Sequence, residues 1–491
     1  MSQPVADRRL HPATLVSKTL RTIPEAAGGM VAYGAVIARA EFATILLLAL
    51  AGLVVAAIGA LLSWWRFRYG VGEREIVIEA GVISRKRRVI PFERVQDIAI
   101  EQRLLARVFG TAAVKIETGG AAADEGHLDS IALADAHRLR DHIRGWKAAA
   151  GGATDSAGQR DAAEQVLFAM TLGRVLYSGL FNFSLVFVAG VFAVLQNADE
   201  LGLYAASNLL VPFESSGRRL WIVASLSLLL AVLLVGIVAG VLRTMARDYG
   251  FRLTRAPNGL RRRRGLITLS ETVIPVRRIQ LAAIESGFVA RTLGWHRLAF
   301  QTLGAEPRGR GAQVAAPFAR MEEILPILAQ AAYPDPLLVG DWARSPKRSI
   351  LRRALVPATA ALAAFALAFV WPIAVIPGGI LFLLAAAAPL RWSRHRRAFG
   401  SHALFVSGGV LRRGLRIMPY ARAQAITVSA GPIQCPLGLA SVIVDTAGAP
   451  AARTLALIDL DDRVARALAD RLLALLKEHR ALRRREHEGG L

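Results

Sequence analysis

One stretch of this chain is written three times, and nothing else in the sequence limits its fold as tightly. Gly81–Thr118 returns as Gly265–Thr302 and, more loosely, as Gly409–Thr446. From each leading Gly, a Pro lies ten positions on (Pro91, Pro275, Pro419) and an Arg thirteen (Arg94, Arg278, Arg422). A Gln follows at fifteen (Gln96, Gln280, Gln424), a second Gly at twenty-nine (Gly110, Gly294, Gly438) and a Thr at thirty-seven (Thr118, Thr302, Thr446). Spacing kept through three copies without a gap means one supersecondary unit used three times.

The first copy reads as strands. Glu75–Glu79 alternates, Gly81 breaks it as a hairpin glycine does, and Val82–Ile90 alternates again with Arg85 and Arg87 on one face. Val95–Ile100 is a third short run, and Leu104–Phe109 a turn or short helix ending at Gly110. Ala113–Thr118 and Asp129–Ala134 add strands, and Asp135–Lys147 has helical spacing through Leu139, Ile143 and Trp146. The pattern predicts a small sandwich or open barrel closed by a C-terminal helix. At roughly 70–80 residues it stands near the lower limit for an independent core.

Composition places these units at a membrane. The 491 residues are 54% hydrophobic yet carry a net charge of +24, a combination natural to a polytopic protein with basic cytoplasmic parts. Phe42–Trp65 is 24 uncharged residues, Val175–Ala198 is also uncharged, and Leu220–Leu242 gives 23 more. Ala354–Leu390 is 37 uncharged residues, roughly 55 Å as a helix, so Trp371-Pro372 is expected to break it into two spans. Residues 22–38 are read as a sixth span, forming a tight hairpin with the first. Glu164–Arg174 reads as a short interfacial helix, after a flexible linker at Ala148–Ala163.

Charge orients the spans. The flanks beside the repeats hold Arg66, Arg68, Arg243, Arg247, Arg344, Lys347, Arg348, Arg352, Arg353, Arg391, Arg394, Arg396 and Arg397; the opposite flanks hold Arg39, Arg218 and Arg219. Positive residues stay inside, so all three repeats and both termini are expected to be cytoplasmic.

The chemistry expected is sparse. No phosphate-binding loop, zinc-hydrolase helix or nucleophile elbow occurs in the sequence, and His137 and His142 are five apart on a helix, off a shared face. The single Cys435 excludes a disulfide framework and suits a reducing compartment. Asp459, Asp461 and Asp462 suggest a metal site less well than a helix cap with acids in the first turn. Arg174, Glu25 and Asn182 lie in or beside spans, and snorkelling from span ends accounts for the two charges. No catalytic, cofactor or metal residue is assigned, and an enzyme is not expected.

The three copies resemble the bacterial pleckstrin-homology-like domain of the YdbS/YdbT-like membrane proteins. The match in the first is Gly81, Ile90-Pro91, Arg94, Gln96, Arg107, Gly110 and Thr118. In the second it is Gly265, Ile274-Pro275, Arg278, Gln280, Arg291, Gly294 and Thr302; the third departs with Met418 before Pro419 and Cys435 in place of the second Arg. The expected fold class is a multi-pass membrane protein in which three small α+β cytoplasmic domains alternate with three transmembrane helix pairs. Each domain is a PH-like β-sandwich or barrel plus a C-terminal helix. The expected domains are 69–150, 246–335 and 399–491. The membrane parts fall in 1–68 (about 22–38 and 42–65), in 175–245 (about 175–198 and 220–242, after a linker at 151–174) and in 336–398 (about 354–371 and 373–390).

Basic clusters accompany each hairpin: Arg85, Lys86, Arg87 and Arg88; Arg261, Arg262, Arg263 and Arg264; and Arg412, Arg413 and Arg416. In eukaryotic PH domains this region holds phosphorylated headgroups, so the resemblance implies anionic-lipid or partner contact here. Two readings stay open. One is a non-enzymatic inner-membrane scaffold whose domains bind one another, a second copy, or a smaller single-PH-domain relative. The other is a lipid- or solute-handling protein working through its helix pairs. The recurrent Pro, Arg, Gln, Gly and Thr are read as turn and strand-end requirements, with the Arg and Gln alternatively lining a peptide or subunit contact by strand addition. Nucleic acid is an unlikely partner, since the basic residues track the membrane flanks and not an aromatic platform.

Overall fold

The computed structural model describes residues 7–12, 14, 42–81, 84–118, 126–150, 165–182, 218–256, 259–302, 312–446 and 455–474. The chain divides into two compact units, Met1–Leu172 with Arg243–Val273 and Gly173–Leu242 with Ile274–Leu491.

In the first unit, β1 (Arg8–Arg9), β2 (Arg68–Val71), β3 (Glu75–Ala80) and β4 (Lys86–Pro91) form an antiparallel sheet in that order. Next come β5 (Val95–Arg103), β6 (Thr111–Thr118) and β7 (Gly126–Ala132), then the helix Leu133–Ala150. The helix lays Ala136, Leu139 and Ile143 on a core with Ile76, Phe92, Ile116 and Leu128, all buried. After it, β8 (Val166–Ala169), β9 (Arg252–Ala256), β10 (Gly259–Arg264) and β11 (Thr268–Pro275) begin the second repeat.

In the second unit, β12 (Ile279–Gly287), β13 (His296–Thr302) and β14 (Ala312–Ala319) lead into the helix Met321–Gln330. Then come β15 (Ala343–Arg344), β16 (Arg396–Phe399), β17 (Ala403–Gly408) and β18 (Arg412–Pro419). The last strands are β19 (Ala423–Ser429), β20 (Leu439–Thr446) and β21 (Leu455–Asp461), followed by a closing helix over 462–474.

The sheets ignore the repeat boundaries. One seven-stranded sheet runs β7-β6-β5-β11-β10-β9-β8 and the other β14-β13-β12-β18-β17-β16-β15. Three strands of one repeat are thus continued by four of the next, joined antiparallel at β5–β11 and β12–β18. The first repeat still packs its two sheets and its helix on one core, as expected, and the pairing with the next repeat is made in addition, along the edge of β5. An alternating strand records which face is buried, but not which strand covers its edge.

A second regularity involves the strands written before the helical segments. β1, β8 and β15 each pair antiparallel with the strand that follows the helices: β2, β9 and β16. The Glu164–Arg174 helix of the sequence reading is therefore replaced by β8 and a helix that starts at Leu172. The N-terminal basic tail likewise enters the first domain. Arg8–Arg9 is a strand, Leu10 is 2% exposed, and Trp64 Nε1 donates to the Leu10 carbonyl at 2.9 Å.

The apolar helices differ in number from the six expected spans. Two described helices are long and apolar enough to cross a membrane, Leu230–Asp248 and Ser349–Leu367; a third is added if Pro372–Ala386 and Ala388–Arg394, bent by 41°, form one span. Phe42–Arg66 is a 25-residue helix whose one charge is Arg66. The break at Trp371-Pro372 is present, but helix Ser349–Leu367 starts earlier than the expected Ala354 and takes in Arg352 and Arg353. Pro389, lacking an N–H, lies at the start of the last short helix and explains the bend there. Helix Leu172–Leu180 covers the start of the expected span at 175–198. The remainder of that span, and the one at 22–38, lie outside the described residues. The helix faces are apolar and open: Leu226, Leu230, Leu362, Ile376 and Leu383 are each more than 60% exposed, a surface suited to hydrocarbon.

Candidate functional site

The recurrent residues build one turn-and-bulge device in each repeat. Gly81, Gly265 and Gly409 have φ of +117°, +114° and +98°. A Cβ on any of them would meet a carbonyl oxygen, of Ser84, Thr268 or Arg412, at 1.9 Å. Pro91, Pro275 and Pro419 end β4, β11 and β18, where a missing N–H costs least. Arg94 is exposed, Arg278 buried and Arg422 half-buried. In all three repeats the ladder then skips one residue: between Val95 and Asp97, Ile279 and Leu281, and Ala423 and Ala425. The skipped residues are Gln96, Gln280 and Gln424. The residue before each pairs with the recurrent Thr118, Thr302 or Thr446. Such a bulge bends and twists the strand, and it sits at the start of β5, β12 and β19. Gly110, Gly294 and Gly438, with φ near +61°, +76° and +60°, follow the short turn between the next two strands.

The three basic clusters have different surroundings. Arg85, Lys86 and Arg87 line an open cleft of about 420 Å³ with Trp65, Arg66, Arg68 and Glu79, at the C-terminal end of helix Phe42–Arg66. Arg88 is exposed on the same strand. The second cluster turns partly inward. Arg262 is buried and its pKa is pushed down to about 9, by burial first and by the Arg264 charge second. Arg264 bonds Asp248 at 3.3 Å, Arg261 lies 3.9 Å from Glu271, and Arg263 is exposed. In the third, Arg412 reaches across β12–β18 to Glu285 at 2.7 Å. Arg413 is half-buried, which lowers its pKa, and Arg416 is exposed.

Buried carboxylates tie the second and third helical segments to their domains, and sequence reasoning missed this role. Asp248, 1% exposed at the end of its helix, holds Arg247 at 2.7 Å and Arg264 on β10. Asp459, fully buried with φ +63°, accepts from Arg352 at 2.8 Å, Arg353 at 3.1 Å and Gln434 at 2.8 Å. Asp461 pairs with Arg348, and Asp462 with Arg466 at 3.1 Å. Of the three acids read as a helix cap, Asp459 and Asp461 on β21 thus clamp the start of helix Ser349–Leu367, and only Asp462 lies in the closing helix. Among the described residues no group of three or more His, Cys, Asp or Glu could hold a metal ion.

Arg174 does not snorkel. Its guanidinium makes two bonds to Glu323, at 2.9 and 2.6 Å, and lies 4.9 Å from the Trp295 ring, which stacks on Phe318. Burial would raise the Glu323 carboxyl, but the Arg174 bond, the Arg320 backbone bond and both arginine charges hold it below its ordinary value. Asn182 donates to the Ser178 carbonyl at 3.1 Å, and Glu25 lies outside the described residues. Part of the signal for Arg174 was present, since an isolated charge at a span end invites a pair. Its partner stands 149 positions away, and spacing carries no information at that range.

Comparisons with known proteins agree with this architecture. The bacterial PH domain family matches residues 20–146, 188–333 and 351–476. The UPF0699 transmembrane protein YdbT of Bacillus subtilis (strain 168) is 23% identical over 313 residues, which is 60% of this chain and 61% of that protein. The chain therefore spans about three fifths of the length of the curated relative it matches. No solved structure matches it. With three successive matches covering most of its length, and the same glycine turn and bulge in each, the chain belongs to the bacterial PH domain family.

Proposed function

We propose that this protein is a non-enzymatic scaffold of the bacterial inner membrane, its PH-like domains held on the cytoplasmic side as a platform for protein assembly. One observation carries the reading: each helical segment leaves its sheet from one strand and returns on the neighbouring one, at β1–β2, β8–β9 and β15–β16. Neighbouring strands lie about 4.8 Å apart, so each excursion starts and ends at the same place and crosses a bilayer an even number of times. Three helix pairs with all domains on one side fit that even count, and the basic flanks favour the inside for that side. The three domains, taken at 69–150, 246–335 and 399–491, each also take in a strand written before the helices: β1, β8 or β15. The repeats already associate by strand addition, the mode by which sheet edges capture partners.

Anionic lipid is the second contact, favoured by the cleft at Arg66, Arg68, Arg85, Lys86 and Arg87 beside Trp65. Each basic residue near an anionic leaflet contributes about 1 kcal/mol. A lipid- or solute-handling role through the helices has less support, because Arg174 is committed to Glu323. The test is crosslinking with mass spectrometry on the detergent-solubilised protein. Stable protein neighbours lost on deleting one repeat support the scaffold; a defined lipid between the helices with no protein neighbour contradicts it.

A further inference from the structure

β4 and β19 each end a sheet among the described residues, and their outer edges are the two halves of the junction that the chain makes twice inside itself. We propose that the outer edge of β19 takes β4 of a second copy of this chain, in the register both internal junctions share. This deepens the scaffold reading and rests on it.

Both internal junctions share one register. At the first junction Thr268, three residues past its hairpin glycine, lies opposite Arg103, twenty-two past Gly81. At the second, Arg412, three past Gly409, lies opposite Gly287, twenty-two past Gly265. The paired side chains differ, Leu269 with Gln102 in one and Arg413 with Ser286 in the other. No particular side-chain pair sets the alignment; the shared backbone device does, the glycine turn on one strand and the glutamine bulge on the other.

In the third repeat β19 occupies the place of β5 and β12, with the same bulge at its start. It pairs with β20 on one side and stands last in its sheet among the described residues. Gln424, Ala425, Thr427, Val428 and Ser429 are exposed, and the strand holds no charge and no proline. Edges that stay unpaired are ordinarily blunted by charge or proline; this one is a bare template. β4 occupies the place of β11 and β18 and stands last in the four-stranded sheet among the described residues. Carrying the register over sets Ser84 opposite Gly431, Lys86 opposite Ser429 and Arg88 opposite Thr427.

Two internal contacts have no counterpart at this junction. Arg107 donates to the Leu266 carbonyl at 2.9 Å, and Cys435 stands in its place in the third repeat. Glu285, which holds Arg412, is replaced by Ser429. The contact between copies is therefore a main-chain ladder, weaker than the internal ones. It is also head-to-tail, leaving one β4 and one β19 open so that copies add in a row.

The test co-expresses two full-length chains with different tags, both Cys435→Ser, one carrying Thr427→Cys and the other Arg88→Cys. A neighbouring combination, Val428→Cys with Arg87→Cys, covers the alternation between wide and narrow pairs. Ser429→Cys with Arg88→Cys is the shifted comparison, and Ala283→Cys with Arg416→Cys in one chain is the same junction position already formed. Mild oxidation is expected to join the two tags through at least one in-register combination, at least tenfold above the shifted one. Equal yields from the shifted combination, or no disulfide while the internal control closes, overturn the contact. Two tags that co-purify without an in-register disulfide also overturn it and leave the scaffold reading intact. Recovery of neither a second tag nor any other protein overturns both.

Discussion

Arg353 and Asp459 are bonded at 3.1 Å across 106 positions of sequence, joining the first turn of a membrane-type helix to the last strand of the third domain. Asp459 is fully buried, while the Arg353 and Arg352 side chains are 10% and 29% exposed. Removing the carboxylate leaves two guanidinium groups poorly solvated. Replacing Asp459 with Asn is expected to destabilise the third domain by about 2–3 kcal/mol, below the range for a wholly buried pair because Arg352 is partly wet. Thermal unfolding in detergent, together with protease sensitivity of the third domain, measures this. Arg466→Ala, which removes an exposed pair with Asp462, is expected to change stability by less than about 0.5 kcal/mol.

The glycine turn gives a sharper contrast. At Gly265 the φ of +114° and a carbonyl 1.9 Å from a built Cβ leave no room for a side chain. At Gly110, φ is +61° and nothing lies within 4 Å. Gly265→Ala is expected to cost about 3 kcal/mol or more, because the hairpin itself must shift. Gly110→Ala is expected to cost about 1 kcal/mol, the ordinary penalty of the left-handed region. Denaturant titration of the two variants side by side decides the order; equal losses would mean the hairpin can yield.

These positions show how much of the molecule the sequence disclosed. Recurrence of Gly81, Pro91, Gln96 and Thr118 revealed the unit, its hairpin and its three-fold use, because turns and bulges are local and restrict residue type. The junctions β5–β11 and β12–β18 stayed hidden, since exposed and covered edges share one alternating pattern. The clamps at Asp248, Asp459 and Glu323 stayed hidden too. Their arginines had a sufficient explanation in membrane flanks, and the local spacing of Asp459 suggested a helix cap instead of a distant partner. Among the basic clusters, the run Arg261–Arg264 looked uniform as text. Strand alternation then turns Arg262 inward and Arg263 out.

His395 supplies a pH signature. Burial first, and the Arg353 charge second, push its pKa down to about 4 from an ordinary 6.5. The unfolded chain therefore binds a proton between those values that the folded one refuses. Stability from this group is fully present above about pH 6.5 and is lost as pH falls toward 4. The expected loss is roughly 1–3 kcal/mol after allowing for partial exposure. Melting temperatures of the parent and a His395→Gln variant, measured from pH 7.5 to 4.5, check it. The parent should fall more steeply than the variant below pH 6.5, and parallel curves would contradict the assignment.

The most direct measurement concerns the even crossings. Val108, Val289 and Leu411 are 76%, 56% and 76% exposed, one in each repeat. Each is changed singly to Cys in a Cys435→Ser chain and labelled with a membrane-impermeant maleimide, in intact spheroplasts and in inverted vesicles. With every excursion crossing an even number of times, none of the three is expected to label from outside and all three to label fully in inverted vesicles. Labelling of even one from outside, with the other two protected, would contradict it.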